Sequence, residues 1–370
     1  MKLNRRHPYF ELQPFSRRVC FFICILFSFV HILFFHDNFF DINRSKYYLF
    51  ISTMFSTAIV ELICVLREKS WHDIIHLPRR ETTGLFILLL SIIISLLLTD
   101  DRWASLTGNT GRYAGGFFFA GLGLIFFFGL YASSGSFRIN DYKQGKYLFE
   151  PSEMIVCSLI TSGSVCALLG ILNFLGFDPL HFYSEPLNPG YRSDFISTIG
   201  NINFFSAYMC LIASLSTGFF LRWKHRARKW MLMSFVLSHS GVLVSHSESG
   251  IVGLAFLALV VLMFPVQDLQ TASHLLILLA ISCLSTCLLS GLIQLRSNAV
   301  MDYSGSVAEI LFDHPLFMFL CGIVMLALSA IIFRPNSNNV LRLLNIIRKS
   351  ILFCACATLI TLACLLLYYT

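Results

Sequence analysis

Charge is what this sequence has least of. Asp, Glu, Lys and Arg make up 13% of its 370 residues, against roughly a quarter in a soluble globular domain. So few charges cannot cover a water-facing surface. Hydrophobic residues reach 56%, and the mean hydropathy is +0.73. Walker, Rossmann and zinc-ligand patterns are absent, which leaves no phosphate loop, dinucleotide fingerprint or metal spacing to build on. No repeat or low-complexity tract is seen. No small-residue processing site follows the first apolar run, so the N-terminus reads as an anchor and not a cleavable leader.

What the chain does have is long apolar runs. Backbone in hydrocarbon must satisfy its own hydrogen bonds, and runs of this length do so as helices; barrel strands would alternate over about ten residues. The expected fold class is all-α: a polytopic transmembrane helical bundle forming one domain over 1–370. At about twenty residues per span, eleven spans are predicted: 19–35, 47–66, 85–98, 113–132, 154–175, 203–221, 230–244, 250–264, 275–293, 316–333 and 351–369. The seventh and eighth cannot be one helix. At 1.5 Å per residue that helix would run roughly 52 Å across a core of about 30 Å, so a turn is predicted at Ser245–Gly250.

The net charge of +7 does not point to nucleic acid, because the basic residues collect beside span ends. All but six of the 27 Lys and Arg fall on one side of the predicted spans; the six are Arg44, Lys46, Arg102, Arg112, Arg192 and Arg296. The positive-inside rule then puts the N-terminus in the cytoplasm and the C-terminus outside. Connectors such as Arg222-Trp223-Lys224-His225-Arg226-Ala227-Arg228-Lys229 read as topology-setting contacts with lipid headgroups. The twelve cysteines all lie in apolar segments without His or Asp at ligand spacing, as small buried hydrophobes do.

The predicted outer loops, 99–112, 176–202, 245–249 and 294–315, hold most of the remaining chemistry. In the first, Arg102 and Arg112 stand among small residues and aromatics, a setting that suits a diphosphate or sugar, or an interfacial aromatic belt. The second runs from Phe177 to Asn203 and has one cation, Arg192, near Tyr191, Asp194 and Glu185. It ends in Gly200-Asn201-Ile202-Asn203, where Asn side chains can cap a helix whose free N–H groups seat an anion. In the third, His246 and Glu248 read as a base with its partner or as water-surface residues, and His239 is placed on roughly the same helical face as His246. In the fourth, Arg296 is the cation, and Asp313-His314-Pro315 is a polar helix start or a site element.

Four stretches in this order resemble the O-antigen ligase / O-antigen polymerase superfamily of membrane glycosyltransferases: Gly111-Arg112-Tyr113-Ala114-Gly115, Gly200-Asn201-Ile202-Asn203-Phe204, Ser247-Glu248-Ser249-Gly250 and Asp313-His314-Pro315. The resemblance spans about 98 to 316. It implies a bacterial plasma-membrane protein that transfers a glycan from an undecaprenyl-diphosphate carrier to an acceptor at the outer face, with no metal or cofactor and with membrane lipid as its surroundings. Inverting displacement of a lipid diphosphate needs cations or N–H dipoles that strengthen as charge grows on the leaving group, and a base for the acceptor hydroxyl. Arg112, Arg192 and Arg296 are the expected clamp, with Arg102, Gly200, Asn201 and Asn203 in binding. Arg192 is also grouped with Asp194, Glu248 and His246 as the catalytic candidates.

The family pattern implies a large outer loop rich in Arg and His, and 294–315 is too short to be it. The expectation is a chain that carries the carrier-binding half and stops before that loop; the coding frame beyond Thr370 would test this. The rival readings are a transporter or flippase for lipid-linked sugars or another solute, and a non-catalytic membrane partner. A transporter should show ionisable residues within spans; only His31, Glu61 and His239 are so placed.

Overall fold

The computed structural model describes residues 14–36, 42–70, 74, 77–109, 113–134, 150–183, 194–222, 227–263, 269–296 and 304–332. Nearly all of them are helical. In chain order the elements are α1 (Phe15–Leu33), α2 (Ile42–Glu68), α3 (Arg79–Leu98), α4 (Arg102–Thr107), α5 (Gly116–Ser133), α6 (Pro151–Phe174), β1 (Phe195–Ile196), β2 (Gly200–Asn201), α7 (Ile202–Arg222), α8 (Ala227–Val244), α9 (Glu248–Met263), α10 (Leu269–Leu295), α11 (Val307–Asp313) and α12 (Pro315–Ile332).

Eight of these helices are long and apolar enough to cross a membrane: α1, α2, α3, α5, α6, α7, α10 and α12. Of the other predicted spans, the seventh and eighth are also helices. However, α8 includes Arg228, Lys229, His239 and three serines, and α9 has only 16 residues. The segment 351–369 lies outside the described residues, as does 336–349. The predicted turn is present, since α8 ends at Val244 and α9 starts at Glu248. The nine described cysteines are all free thiols.

The chain forms two compact units, Met1–Ser162 and Gly163–Thr370. In the first, α1, α2 and α5 pack around Cys20, Phe21, Phe50, Met54, Phe128 and Tyr131. Several polar groups there are paired. Glu68 accepts the backbone N–H groups of Phe15 and Ser16 (2.7 and 3.1 Å), capping α1 from the end of α2. The hydroxyls of Ser16 and Tyr131 lie 3.0 Å apart, and those of Ser28 and Ser158 2.6 Å apart. Helix α3 buries none of its residues, and Leu98 is 81% exposed. Only one face, with Leu85, Leu88 and Ile92, is half-buried against α5; an apolar helix so exposed elsewhere is what a lipid solvent allows.

In the second unit, small residues set the helix spacing. A Cβ at Gly163 would stand 2.5 Å from Ile212, one at Gly170 2.5 Å from Phe205, and one at Gly322 2.8 Å from Leu284. These positions bring α6 against α7 and α10 against α12, the small-residue packing that membrane helices use where burial of apolar surface supplies no drive. Serine pairs add polar ties, Ser164 to Ser234 (2.9 Å) and Ser273 to Ser329 (2.8 Å).

Candidate functional site

One end of the second unit collects polar groups from four separate stretches of sequence. Its foundation is Asn173, in the last turn of α6 and 1% exposed. The side-chain NH2 donates to the Phe177 carbonyl (3.2 Å), and its oxygen accepts the Ser197 N–H (3.0 Å). Two loop strands are thereby pinned to one helix end. The Ser197 hydroxyl donates to the Cys166 carbonyl at 2.7 Å, and Ser197, Thr198 and Ile196 are all buried. Ser197 has φ +57°, a left-handed conformation that costs a β-carbon residue about 1–3 kcal/mol. The buried hydrogen bonds hold it there.

From Ser197 the chain turns into a short antiparallel hairpin in which Phe195 pairs with Asn201 and Ile196 with Gly200. Gly200 has φ +86°, which glycine adopts without steric cost. Asn201 then caps α7, its side-chain oxygen accepting the Asn203 N–H at 3.0 Å. The capping role expected from the sequence is present, on Asn201. Asn203 is exposed, and its side-chain oxygen accepts a hydrogen bond from the Ser247 hydroxyl at 2.7 Å. That hydroxyl lies 2.8 Å from Ser249. The second and third motifs therefore meet through side chains more than forty residues apart.

The fourth stretch arrives at the end of α10. Arg296 lays its guanidinium carbon 3.8 Å from the centroid of the Phe177 ring, a close cation–π contact. Its Nε is buried without a hydrogen-bond partner, and among the described residues no carboxylate pairs with it. Nearby, Ser290 donates to the Phe312 carbonyl (2.6 Å), and Phe312 packs against Phe174. These contacts hold α11 just ahead of His314 and Pro315.

Other candidates take different places. Asp178, just after α6, is occupied structurally, accepting the N–H groups of Phe182 and Tyr183 (both 2.9 Å). Asp194 is half-buried at the entrance to the hairpin, and Glu248 is exposed in the first turn of α9, where a carboxylate also favours the helix dipole. His246 does not continue the face of α8 that carries His239. The helix ends two residues earlier, and His246 sits in the turn with φ +41°. His239 instead lies 3.3 Å from the Ser285 hydroxyl.

In the first unit, Arg102 is exposed on α4, behind an Asp101 cap that accepts the Ala104 N–H at 2.9 Å. Gly108 and Gly115 serve chain-on-chain contact, since a Cβ on either would strike the backbone of the other segment. Arg112 and Arg192 lie outside the described residues. The sequence reading missed Asn173, Cys166 and the hydroxyl of Ser247. An amide inside an apolar span is the signal that would have found Asn173.

Ser247→Ala tests the link between motifs. Removing the hydroxyl leaves the Asn203 oxygen without its donor, and the expected loss is about 1 kcal/mol, read as a lower unfolding midpoint in detergent. An unchanged midpoint, with Asn203→Ala equally silent, would show that the contact holds nothing.

No protein-family model matches this chain, and no curated protein or solved structure is significantly similar to it.

Proposed function

We propose that this is a bacterial plasma-membrane protein of eleven spans, N-terminus in the cytoplasm and C-terminus outside, that handles an undecaprenyl-diphosphate-linked glycan at the outer face in cell-surface polysaccharide synthesis. It would transfer the glycan to an acceptor as the O-antigen ligases and polymerases it resembles do. One observation carries the reading: a continuous string of contacts from Arg296 through Phe177 and Asn173 to Ser197, and along the hairpin to Asn201, Asn203 and Ser247. It joins a guanidinium with donors to spare, a capped helix N-terminus and two serine hydroxyls. Cation and helix terminus suit a diphosphate, and hydroxyls and amides suit a sugar. Arg112, Arg192 and Arg102 are further cations for the clamp, and Glu248, Asp194 and His246 supply the acceptor base.

The test uses the full chain in lipid nanodiscs, with undecaprenyl diphosphate binding and glycan transfer as separate readouts. Arg192→Ala and Arg296→Gln should each weaken binding about tenfold or more, since a hydrogen bond to a charged group contributes about 1.5–3 kcal/mol. Membrane abundance should not change. Wild-type binding by both variants would remove the clamp. Orientation is read separately: a cysteine at the exposed Ser249 should react with an impermeant maleimide in intact cells, and one at Lys229 only after permeabilisation. The reverse pattern would invert the topology.

The transporter reading draws on Glu61, 4% exposed within α2 and beside the Cys20 thiol. A buried carboxyl in a span marks a proton or ion path in many carriers. Glu61→Gln abolishing solute flux in liposomes, with carrier binding absent, would favour that reading.

A further inference from the structure

Helices α7 and α9 run side by side and then part. At the end near the candidate site they touch: a Cβ at Gly250 would stand 2.7 Å from Ser206, and one at Gly253 2.8 Å from the Cys210 sulfur. The Cys210 thiol also donates to the Gly250 carbonyl at 3.3 Å. About two turns beyond Cys210 along α7, a Cβ at Gly218 would meet nothing within 4 Å. The space that opens between α7, α9 and α10 has a volume of about 720 Å³, within the range of ordinary ligand sites.

This groove has one cation at its mouth. Its walls include Leu221, Phe256, Leu257 and Val260, with Gly218 as a gap in one wall. Thr217 also lines it, but that residue is 4% exposed and its hydroxyl oxygen is buried away from the groove. The Ser214 hydroxyl is spent on the Cys210 carbonyl at 2.8 Å, as a helical Ser in hydrocarbon ordinarily is. The walls are therefore mainly apolar. The exposed Arg222 lines the same groove and begins the basic connector 222–229, which has five Lys and Arg and no acid.

We infer that this groove binds one anionic diacyl glycerophospholipid, its phosphate on Arg222 and an acyl chain beside Gly218 and Phe256. The dimensions agree. From Cys210 to Arg222, α7 rises about 18 Å, slightly more than half of a core of about 30 Å, so the groove accepts a chain from a single leaflet. By the basic connector this leaflet is the cytoplasmic one, whose anionic lipids meet cationic side chains. The proposed glycan site lies at the other end of α7, so this inference stands independently of the function proposed above.

The experiment measures lipid bound to the full-length protein in mild detergent by native mass spectrometry. Phosphatidylglycerol and phosphatidylcholine of identical chains are added in turn. The wild type should hold one phosphatidylglycerol and prefer it over phosphatidylcholine. Gly218→Leu places a side chain in the gap, where a Cβ meets nothing within 4 Å, and should lower retention of both lipids about tenfold. Gly129→Leu, at another glycine with open space around it, should leave retention unchanged. Arg222→Gln should abolish the preference for phosphatidylglycerol. Should Gly218→Leu not fold, the Arg222 variant decides the matter. Equal retention of the two lipids by wild type, full retention by Gly218→Leu, or displacement of both by undecaprenyl phosphate would overturn the inference.

Discussion

Asn173→Leu is expected to lower the unfolding midpoint of the detergent-solubilised protein by roughly 5–15 °C and to abolish carrier binding. Leucine has the same branching and number of side-chain heavy atoms as asparagine and a larger volume, so the variant opens no cavity. It does leave the Ser197 N–H and the Phe177 carbonyl without the partners they have at 3.0 and 3.2 Å. An unmade buried hydrogen bond costs about 1–3 kcal/mol, and two give about 2–6 kcal/mol; for a unit of this size each kcal/mol moves the midpoint about 2–4 °C. The functional effect follows from position. Ser197 leads the hairpin that ends at the Asn201 cap, and Phe177 is the ring on which Arg296 rests. Releasing both would separate the cation from the helix terminus. Differential scanning fluorimetry measures the first part and a nanodisc binding assay the second. A midpoint within a degree or so of wild type would mean that the loop is held by something other than Asn173.

The second large effect is expected at Gly170. A β-carbon there would stand 2.5 Å from the Phe205 Cζ and 3.1 Å from its Cε2, too close for the ring to remain in place. Phe205 is 0% exposed, and on its other side the Cζ would be 3.5 Å from a Cβ at Gly241. The ring fills the gap between two glycines on different helices and cannot slide either way. Gly170→Ala gains about 1 kcal/mol in helix propensity, but overpacking a filled core costs about 1–3 kcal/mol; Gly170→Val should cost more and reduce folded yield. The sign of coupling is the sharper prediction. Phe205→Leu alone should destabilise by leaving space, yet in combination with Gly170→Val it should restore about 1 kcal/mol or more relative to the sum of the single variants. Effects that add to within about 0.5 kcal/mol would show that the ring and the glycine do not share their space. Because Phe205 lies two residues beyond Asn203, a displaced ring would also shift the start of α7.

How much of this was legible beforehand depends on the kind of information each feature carries. The helices were legible because a lipid solvent imposes one rule on every span: apolar side chains outside and backbone bonds within. Helix α3, with no fully buried residue, needs little further. The break at 245–247 was legible from length alone, and the helix start near Asn203 from the chemistry of Gly200-Asn201.

Side-chain roles were legible only where they were local. Asn201 capping Asn203 is a bond across two residues, and its amide states the role. By contrast, Asn173 reaches 24 residues along the chain to Ser197, Ser247 reaches 44 residues back to Asn203, and Arg296 comes from α10 to lie over Phe177. No periodicity encodes such partners. Asp178 shows the converse: a polar residue in a promising loop whose two oxygens are spent on its own turn. The shared helical face expected for His239 and His246 failed for a similar reason, since helical spacing projects a face only as far as the helix continues, and α8 stops at Val244.

By itself, then, the sequence determined the solvent this protein is built for, its helical class and where its polar turns fall, because hydrophobic burial and backbone satisfaction depend on composition along the chain. The tertiary structure alone decided which polar groups meet, which glycines serve packing, and where α7 and α9 part to leave a groove. Those outcomes depend on contacts between helices, and van der Waals contact and hydrogen bonding act over a few ångströms of space, whatever the distance along the chain.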